Sequence, residues 1–201
     1  MVSINGWVLA LLSFFYVIFI ARSIMLAVLH GINPFSLGKG KKGFRRIVEL
    51  LFSFGLLYWT WETVNASFEW GFTILPEIFY LKLFDNPHIE FFGVGLLAFG
   101  NLIFFWALLS FGASWRIGID HQTPGELVTS GIFGLSRNPI FVAVDLIMLG
   151  VTLVYGNVIF LIALILAVCG IHYQILQEEK FLSARYGEKY LSYRQRVQRY
   201  L

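Results

Sequence analysis

Residues Pro139–Leu176 read PIFVAVDLIMLGVTLVYGNVIFLIALILAVCGIHYQIL, and the fold turns on how this segment is divided. It is apolar almost throughout, with Tyr155-Gly156-Asn157 as a turn signal between runs of about 16 and 20 residues. A bilayer core of ~30 Å takes roughly 20 apolar residues in a helix. The economical reading is two antiparallel helices, a membrane hairpin whose two free ends lie side by side.

The rest of the chain agrees with a membrane setting. Its 201 residues are 58% hydrophobic, 18% aromatic and only 13% charged, with a mean hydropathy of +0.73. Soluble domains carry about 25% charged residues. The N-terminal apolar run, Trp7 to Leu29, is too long for a signal-peptide core and has no basic leader. It is the first predicted span, and Ile47–Val64 and Ile89–Gly112 are the next two. Ala66–Pro87 is apolar but broken by Glu69, Gly71, Pro76, Glu77, Lys82 and Asp85, and reads as interfacial or re-entrant. The fold class is therefore an all-α polytopic membrane protein. It has about five transmembrane helices, ending in the hairpin and in amphipathic surface helices from Gln177 onward. Residues 1–112 form an N-terminal helical region, and residues 113–201 a loop, hairpin and tail.

Of the 15 lysines and arginines, five lie in Lys39–Arg46, and with five spans only Lys82 falls on the opposite side from the rest. The positive-inside rule makes the basic side cytoplasmic, with the N-terminus outside and the C-terminus inside. The lone Cys169 excludes internal disulfides and reads as a small core residue.

Immediately before the hairpin lies Glu126–Phe141, ELVTSGIFGLSRNPIF, a polar wedge between apolar blocks. Because a hairpin joins its two ends, Arg137-Asn138-Pro139 should lie near Gln174–Glu179. Gln174 and Glu178 share a helix face at i, i+4, with His172 and Glu179 on a neighbouring one. Asp145 sits about one and a half turns into the apolar segment, where an ionisable side chain is a functional candidate by default. Phe133 and Phe141 offer ring faces that attract a cation such as a sulfonium, and the backbone of Leu127–Gly131 is close by. Glutamates suit ribose hydroxyls, and Arg137 or Asn138 suits a carboxylate. No Ser-His-Asp set, metal-ligand spacing, P-loop or GxGxxG occurs. Chemistry that needs little acid or base assistance is favoured, and methyl transfer is the obvious case.

At these residues the chain resembles a known family. LVTSGIF…SRNPIF, a hairpin, then EE…YGEKYLSYRQRV resembles the integral-membrane methyltransferases, among them the isoprenylcysteine carboxyl methyltransferases and phospholipid N-methyltransferases. The resemblance covers about Ser114–Tyr200. It implies S-adenosyl-L-methionine bound at the cytoplasmic end of the hairpin and a lipidic acceptor entering from the bilayer, with no nucleic acid and no metal. Carried over by position, Glu126, Leu127 and Val128 hold the adenine end through their backbone, and Phe133, Asn138, Pro139 and Phe141 line the cofactor, with Gly131 in the same cofactor-binding set. Gln174, Glu178 and Glu179 complete the cofactor set. Arg137, Asn138, Asp145 and Glu178 are the candidates for assisting catalysis. The chain departs from the family pattern in having Asn138 for histidine, Phe133 and Phe141 for tyrosines, and Gln174 near an arginine position. An asparagine keeps hydrogen bonding but carries no proton.

Plainer readings stand beside each assignment. The two phenylalanines suit a core or lipid-facing role, Arg137 a loop cap or lipid phosphate, and Glu178 and Glu179 a solvated helix start. Asp145 can pair with Arg137 or a backbone group. Asp120 and His121 read as solvated. Glu49, Glu62 and Asn101 read as helix–helix hydrogen-bonding groups, and the tail arginines as topology signals and anionic-lipid contacts. Two rival functions remain open, an NADPH-dependent membrane sterol or enoyl reductase and a non-catalytic lipid-binding protein on the same scaffold.

Overall fold

The computed structural model describes residues 3–31, 44–112 and 126–201, and these are helices joined by turns and loops. The basic segment Lys39–Lys42 and the pair Asp120 and His121 lie outside the described residues, as do the side chains of Arg45, Arg46 and Glu49.

Helix α1, Ile4–His30, starts where the Ser3 hydroxyl accepts the Gly6 N–H at 3.1 Å and stops at Gly31, in the left-handed region at φ 63°. Helix α2 is Phe44–Phe68. Helix α3, Pro87–Phe111, carries proline in its first turn, and the Asn86 side chain caps the His88 N–H at 2.9 Å. Helix α4, Pro139–Tyr155, again opens on proline and closes on Gly156 at φ 63°. Helix α5 is Val158–Tyr186 and α6 is Glu188–Arg196.

Helices α1 to α5 thus fall where the five spans are predicted. By length and apolarity α1, α3 and α5 suffice to cross a membrane, and α4 is a shorter apolar helix of 17 residues. Of the predicted interfacial segment Ala66–Pro87, the first residues close α2 and Pro87 opens α3; between them lies a four-residue 3-10 turn, Glu77–Tyr80, with Trp70, Phe72, Ile74 and Ile78 exposed. The tail departs from expectation. No surface helix starts at Gln177, because nothing from Gln177 to Tyr186 breaks a helix and α5 continues unbroken to Gly187. Only α6 is separate.

The seam between α3 and α4 organises the bundle. Gly93 and Gly100 on α3 face Gly150 and Ala143 on α4. A Cβ on Gly93 would stand 2.7 Å from the Gly150 carbonyl oxygen, and one on Gly100 2.9 Å from that of Ala143. Small residues let the two backbones touch, which is how helices associate where no water drives them together. Leu97, Phe104, Ala107, Ile147 and Val151 fill the space beside the glycines.

At the hairpin-turn end, the loop before α3 is stitched to the turn itself. Leu83 N–H donates to the Gly156 carbonyl at 2.7 Å and Val158 N–H to that of Leu81 at 3.1 Å. Gly156 needs its left-handed φ, and a Cβ there would also meet the Phe84 carbonyl oxygen at 2.6 Å.

Three polar expectations need correction. Asn101, buried in α3, does not reach across to a neighbour. Its amide donates to the Leu97 carbonyl of its own helix at 2.9 Å and its carbonyl oxygen has no partner. A short amide in a helix finds the i−4 carbonyl before any other group. Glu62 does join two elements, but it joins α2 to the 3-10 turn through Tyr80. Cys169 is exposed rather than in the core. It lies on a stretch of α5 where Ile165, Leu166 and Val168 are exposed too, so apolar context there marks a lipid-facing surface.

Candidate functional site

The loop into α4 is shaped by Gly131, whose φ of 62° suits glycine and whose Cβ, if present, would overlap the Ser110 hydroxyl of α3. That close approach seats the 3-10 turn Gly131–Gly134 on the end of α3. Phe133 is buried there, edge-on to Phe111 with centroids 4.8 Å apart, and its carbonyl accepts the Tyr193 hydroxyl of α6 at 2.7 Å. The chain then turns inward through Ser136, Arg137 and Asn138 to reach Pro139.

The hairpin register places Arg137 as expected. Its guanidinium Nη1 lies 3.0 Å from Glu179 Oε1, and both side chains are nearly buried, at 8% and 9% exposure. Glu179 is gripped from the other side by Arg199, whose Nε donates to Oε1 at 3.0 Å and Nη2 to Oε2 at 2.9 Å. Arg137 also donates to the Tyr190 hydroxyl at 3.4 Å, while its Nε is buried with no hydrogen-bond partner. One carboxylate therefore serves two guanidiniums, and the Nε–H of Arg137 is left buried and unmet.

Arg199 reaches this position because the last residues fold back as a strap. Ser136 and Gln198 form a parallel bridge, and Arg137 N–H donates to the Gln198 carbonyl at 2.9 Å. Asn138 Nδ2 donates to the Arg199 carbonyl at 3.0 Å. Tyr200 continues the strap, its hydroxyl 2.6 Å from His172 Nδ1 on α5. The Glu179 carboxylate holds the Arg199 guanidinium above its ordinary value. Burial raises the Tyr190 phenol and pushes that of Tyr193 up to about 12. Both phenols therefore stay protonated at neutral pH.

The remaining predicted residues divide into two groups. Gln174 and Glu178 do pair along α5, Nε2 to Oε1 at 3.4 Å. Pro139 is buried, Phe141 half-buried, and Leu127 and Val128 line the loop half-buried. Glu126 is exposed at the loop's start, and its charge acts on the Tyr186 hydroxyl at the end of α5. Asp145 does not pair with Arg137, which is committed to Glu179, and its Oδ1 is buried without a hydrogen bond. Among the described residues no cluster of His, Cys, Asp or Glu could hold a metal ion.

Sequence reading missed Arg199, Tyr190, Tyr193, Tyr200 and Ser136. The tail YLSYRQRVQRYL mixes bases and aromatics as a membrane-surface segment does, and nothing local marks Arg199 as the residue that turns inward. Arg194 and Arg196 remain exposed.

The chemical capacity of the mouth is consistent with an adenosyl sulfonium. The orphan Arg137 Nε can serve a carboxylate, the half-buried Phe141 ring a cation, and the non-helical backbone of Glu126–Thr129 a purine edge. A family model described as phospholipid methyltransferase matches residues 88–189, about half of the chain. The match takes in α3, the loop, the hairpin and the start of α6. No individual curated protein matches the chain.

Proposed function

We propose, because this chain belongs to the phospholipid methyltransferase family, that it transfers a methyl group from S-adenosylmethionine to a lipidic acceptor at the membrane interface. Membership supports a membrane methyltransferase. The observation that carries the finer reading is the convergence of Arg137, Asn138, Phe133 and Glu179 at one mouth of the hairpin.

Bound there, the cofactor would supply an electrophilic methyl whose carbon–sulfur bond breaks as the acceptor's lone pair attacks, leaving a neutral thioether. The protein's part is to position and to exclude water. Arg137, with its unused Nε, is assigned to the cofactor's carboxylate. Phe133 and Phe141 flank the sulfonium, Glu126, Leu127, Val128 and Gly131 the adenine end, and Gln174 and Glu178 the ribose. Pro139 sets the start of α4 that carries them. Glu179 and Asn138 hold Arg137 and the strap in place. A carboxylate acceptor needs no base, whereas an amine acceptor must lose a proton, and Asp145 or Glu178 is assigned to take it. In this division residues 113–201 bind the cofactor and residues 1–112 complete the acceptor side.

The same reading puts the mouth in the cytoplasm, with the N-terminus outside. Support comes from the basic residues Arg137, Lys180, Arg185, Lys189, Arg194, Arg196 and Arg199 gathered at the mouth, with Lys82 at the opposite end beside Asn157. In a Cys169→Ala background, Lys189→Cys should label only from the cytoplasmic side and Asp85→Cys only from outside. The reverse pattern overturns the orientation.

Calorimetric titration of the purified protein with S-adenosylhomocysteine and, separately, NADPH tests the activity. Binding of the first and not the second is expected. NADPH binding without the homocysteine adduct would transfer the protein to a reductase chemistry. Binding of neither would make it a non-catalytic protein on this scaffold.

A further inference from the structure

Arg22 is the one ionised residue in α1, set in a run of apolar side chains in that helix's last third, towards the mouth. An arginine at such a depth is expensive and by default functional. Its Nη2 donates to the carbonyl of Gly112, the residue that ends α3, and its Nη1 has only the Met25 sulfur at 3.9 Å. Its Nε is buried with no partner. A guanidinium carries five N–H donors; here one meets a strong acceptor and one a weak one. Among the described residues no carboxylate pairs with it. The charge is therefore half-buried and, among the described residues, without a carboxylate.

Its place adds the second half of the argument. Gly112 follows Phe111, and Phe111 packs edge-on against Phe133 in the loop that walls the proposed cofactor site. Arg22 thus stands one helix end away from the site, at the same level of the bundle. In a phospholipid headgroup the reacting atom lies a few bonds from the phosphate, so a phosphate anchor belongs beside the methyl donor. Basic groups between membrane helices on this side recognise lipid phosphates, and arginine is the side chain whose fork matches phosphate oxygens.

We propose that Arg22 is the phosphate-binding residue for a phospholipid acceptor. The proposal rests on the methyltransferase reading for its purpose, and on the unmet donors of Arg22 for its chemistry. The competing account is a plain cap, in which Arg22 only satisfies the end of α3.

The test uses the full-length protein in maltoside micelles and follows tryptophan quenching by brominated lipids. The probes are dioleoylphosphatidylethanolamine and dioleoylglycerol, which lacks the phosphate. Wild type should bind the phospholipid about tenfold more tightly, the worth of one charge-assisted contact. Arg22→Gln, which can still donate to Gly112, should bring the two affinities together, and Arg22→Lys should fall between. Arg196→Gln, on the exposed face of α6, should change nothing. A wild type with no preference overturns the proposal even if Arg22→Gln fails to fold, and an Arg22→Gln that keeps the preference makes Arg22 a cap only. Inorganic phosphate at tens of millimolar should not displace the lipid; displacement assigns the site to free phosphate and overturns the lipid assignment. S-adenosylhomocysteine titration in parallel separates the two ideas. Its failure with wild type removes the methyltransferase reading, whereas the lipid preference and its loss in Arg22→Gln decide the phosphate site by themselves.

Discussion

Among the described residues two glutamates are buried, one towards each end of the bundle, and they are held in opposite ways. Glu62, 2% exposed, receives the Tyr58 hydroxyl at 2.6 Å and the Tyr80 hydroxyl at 3.1 Å, both neutral donors. Tyr80 in turn accepts the Ile74 N–H at 3.1 Å, so the carboxylate closes a loop onto α2. Glu179, 7% exposed, is held by two guanidiniums, and one of those, Arg137, still has an unpartnered N–H. The first arrangement fastens a loop to a helix. The second is a charged knot with a donor to spare, and it stands at the mouth proposed as the cofactor site. On the proposed function, burial of a carboxylate does not distinguish site from scaffold, whereas the completeness of its partners does.

The sharpest way to break this comparison is to remove each carboxylate's charge in turn, beginning with Glu179. Glu179→Ala would leave Arg137 and Arg199 facing each other without a counter-charge. Deleting one partner of a buried ion pair costs about 3–5 kcal/mol. Unfolding in detergent should show a loss of that order, and S-adenosylhomocysteine affinity should vanish even where the fold survives. A variant within about 1 kcal/mol of wild type would mean the knot is ornamental.

A change in the seam between the two ends should, by contrast, act on both. Gly150→Ala places a Cβ 2.6 Å from the Gly93 carbonyl oxygen and 2.8 Å from the Leu97 nitrogen. Overpacking of this kind costs about 1–3 kcal/mol. Hydrogen exchange should rise alike around Glu62 and around Arg137. A rise confined to the nearer, hairpin-turn end would show that the two ends are uncoupled.

The charged knot predicts a further asymmetry within itself. Arg199→Lys keeps the charge but surrenders the two-pronged grip on Glu179. Losing one charge-assisted hydrogen bond costs about 1.5 kcal/mol. The strap should loosen, raising protease sensitivity after Val197, and cofactor affinity should fall while the far end is untouched. Equal loosening at Tyr80 would contradict the idea of two independent clamps.

How far this was legible beforehand differs between the two ends. The helices were readable because apolar runs of membrane length are separated by Gly, Pro and charge, and the hairpin turn at Gly156 fixed which ends meet. That register alone brings Arg137 to Glu179. Arg199 was not readable. Its contact depends on the strap returning to Ser136 from far along the chain, and no periodicity records such a return. The loop end was equally opaque, since Tyr80 finds Glu62 only after a 3-10 turn in a segment with no repeating pattern. Asn101 shows the converse limit, because a polar residue in an apolar helix looks like a cross-helix contact until its own i−4 carbonyl claims it.

The smallest predicted effect belongs to Glu62. In Glu62→Gln the side-chain oxygen can still accept both phenols, so the hydrogen-bond geometry survives and only the charge is lost. The expected cost is about 1 kcal/mol, the scale of weakening one hydrogen bond, read as a modest drop in thermal midpoint. S-adenosylhomocysteine affinity should stay at the wild-type value, since nothing between Glu62 and the mouth depends on that charge. A large loss of affinity here, with stability little changed, would reverse the distinction between the two carboxylates. It would place Glu62 in the working part of the molecule and demand a route from Tyr80 through the hairpin turn to Arg137.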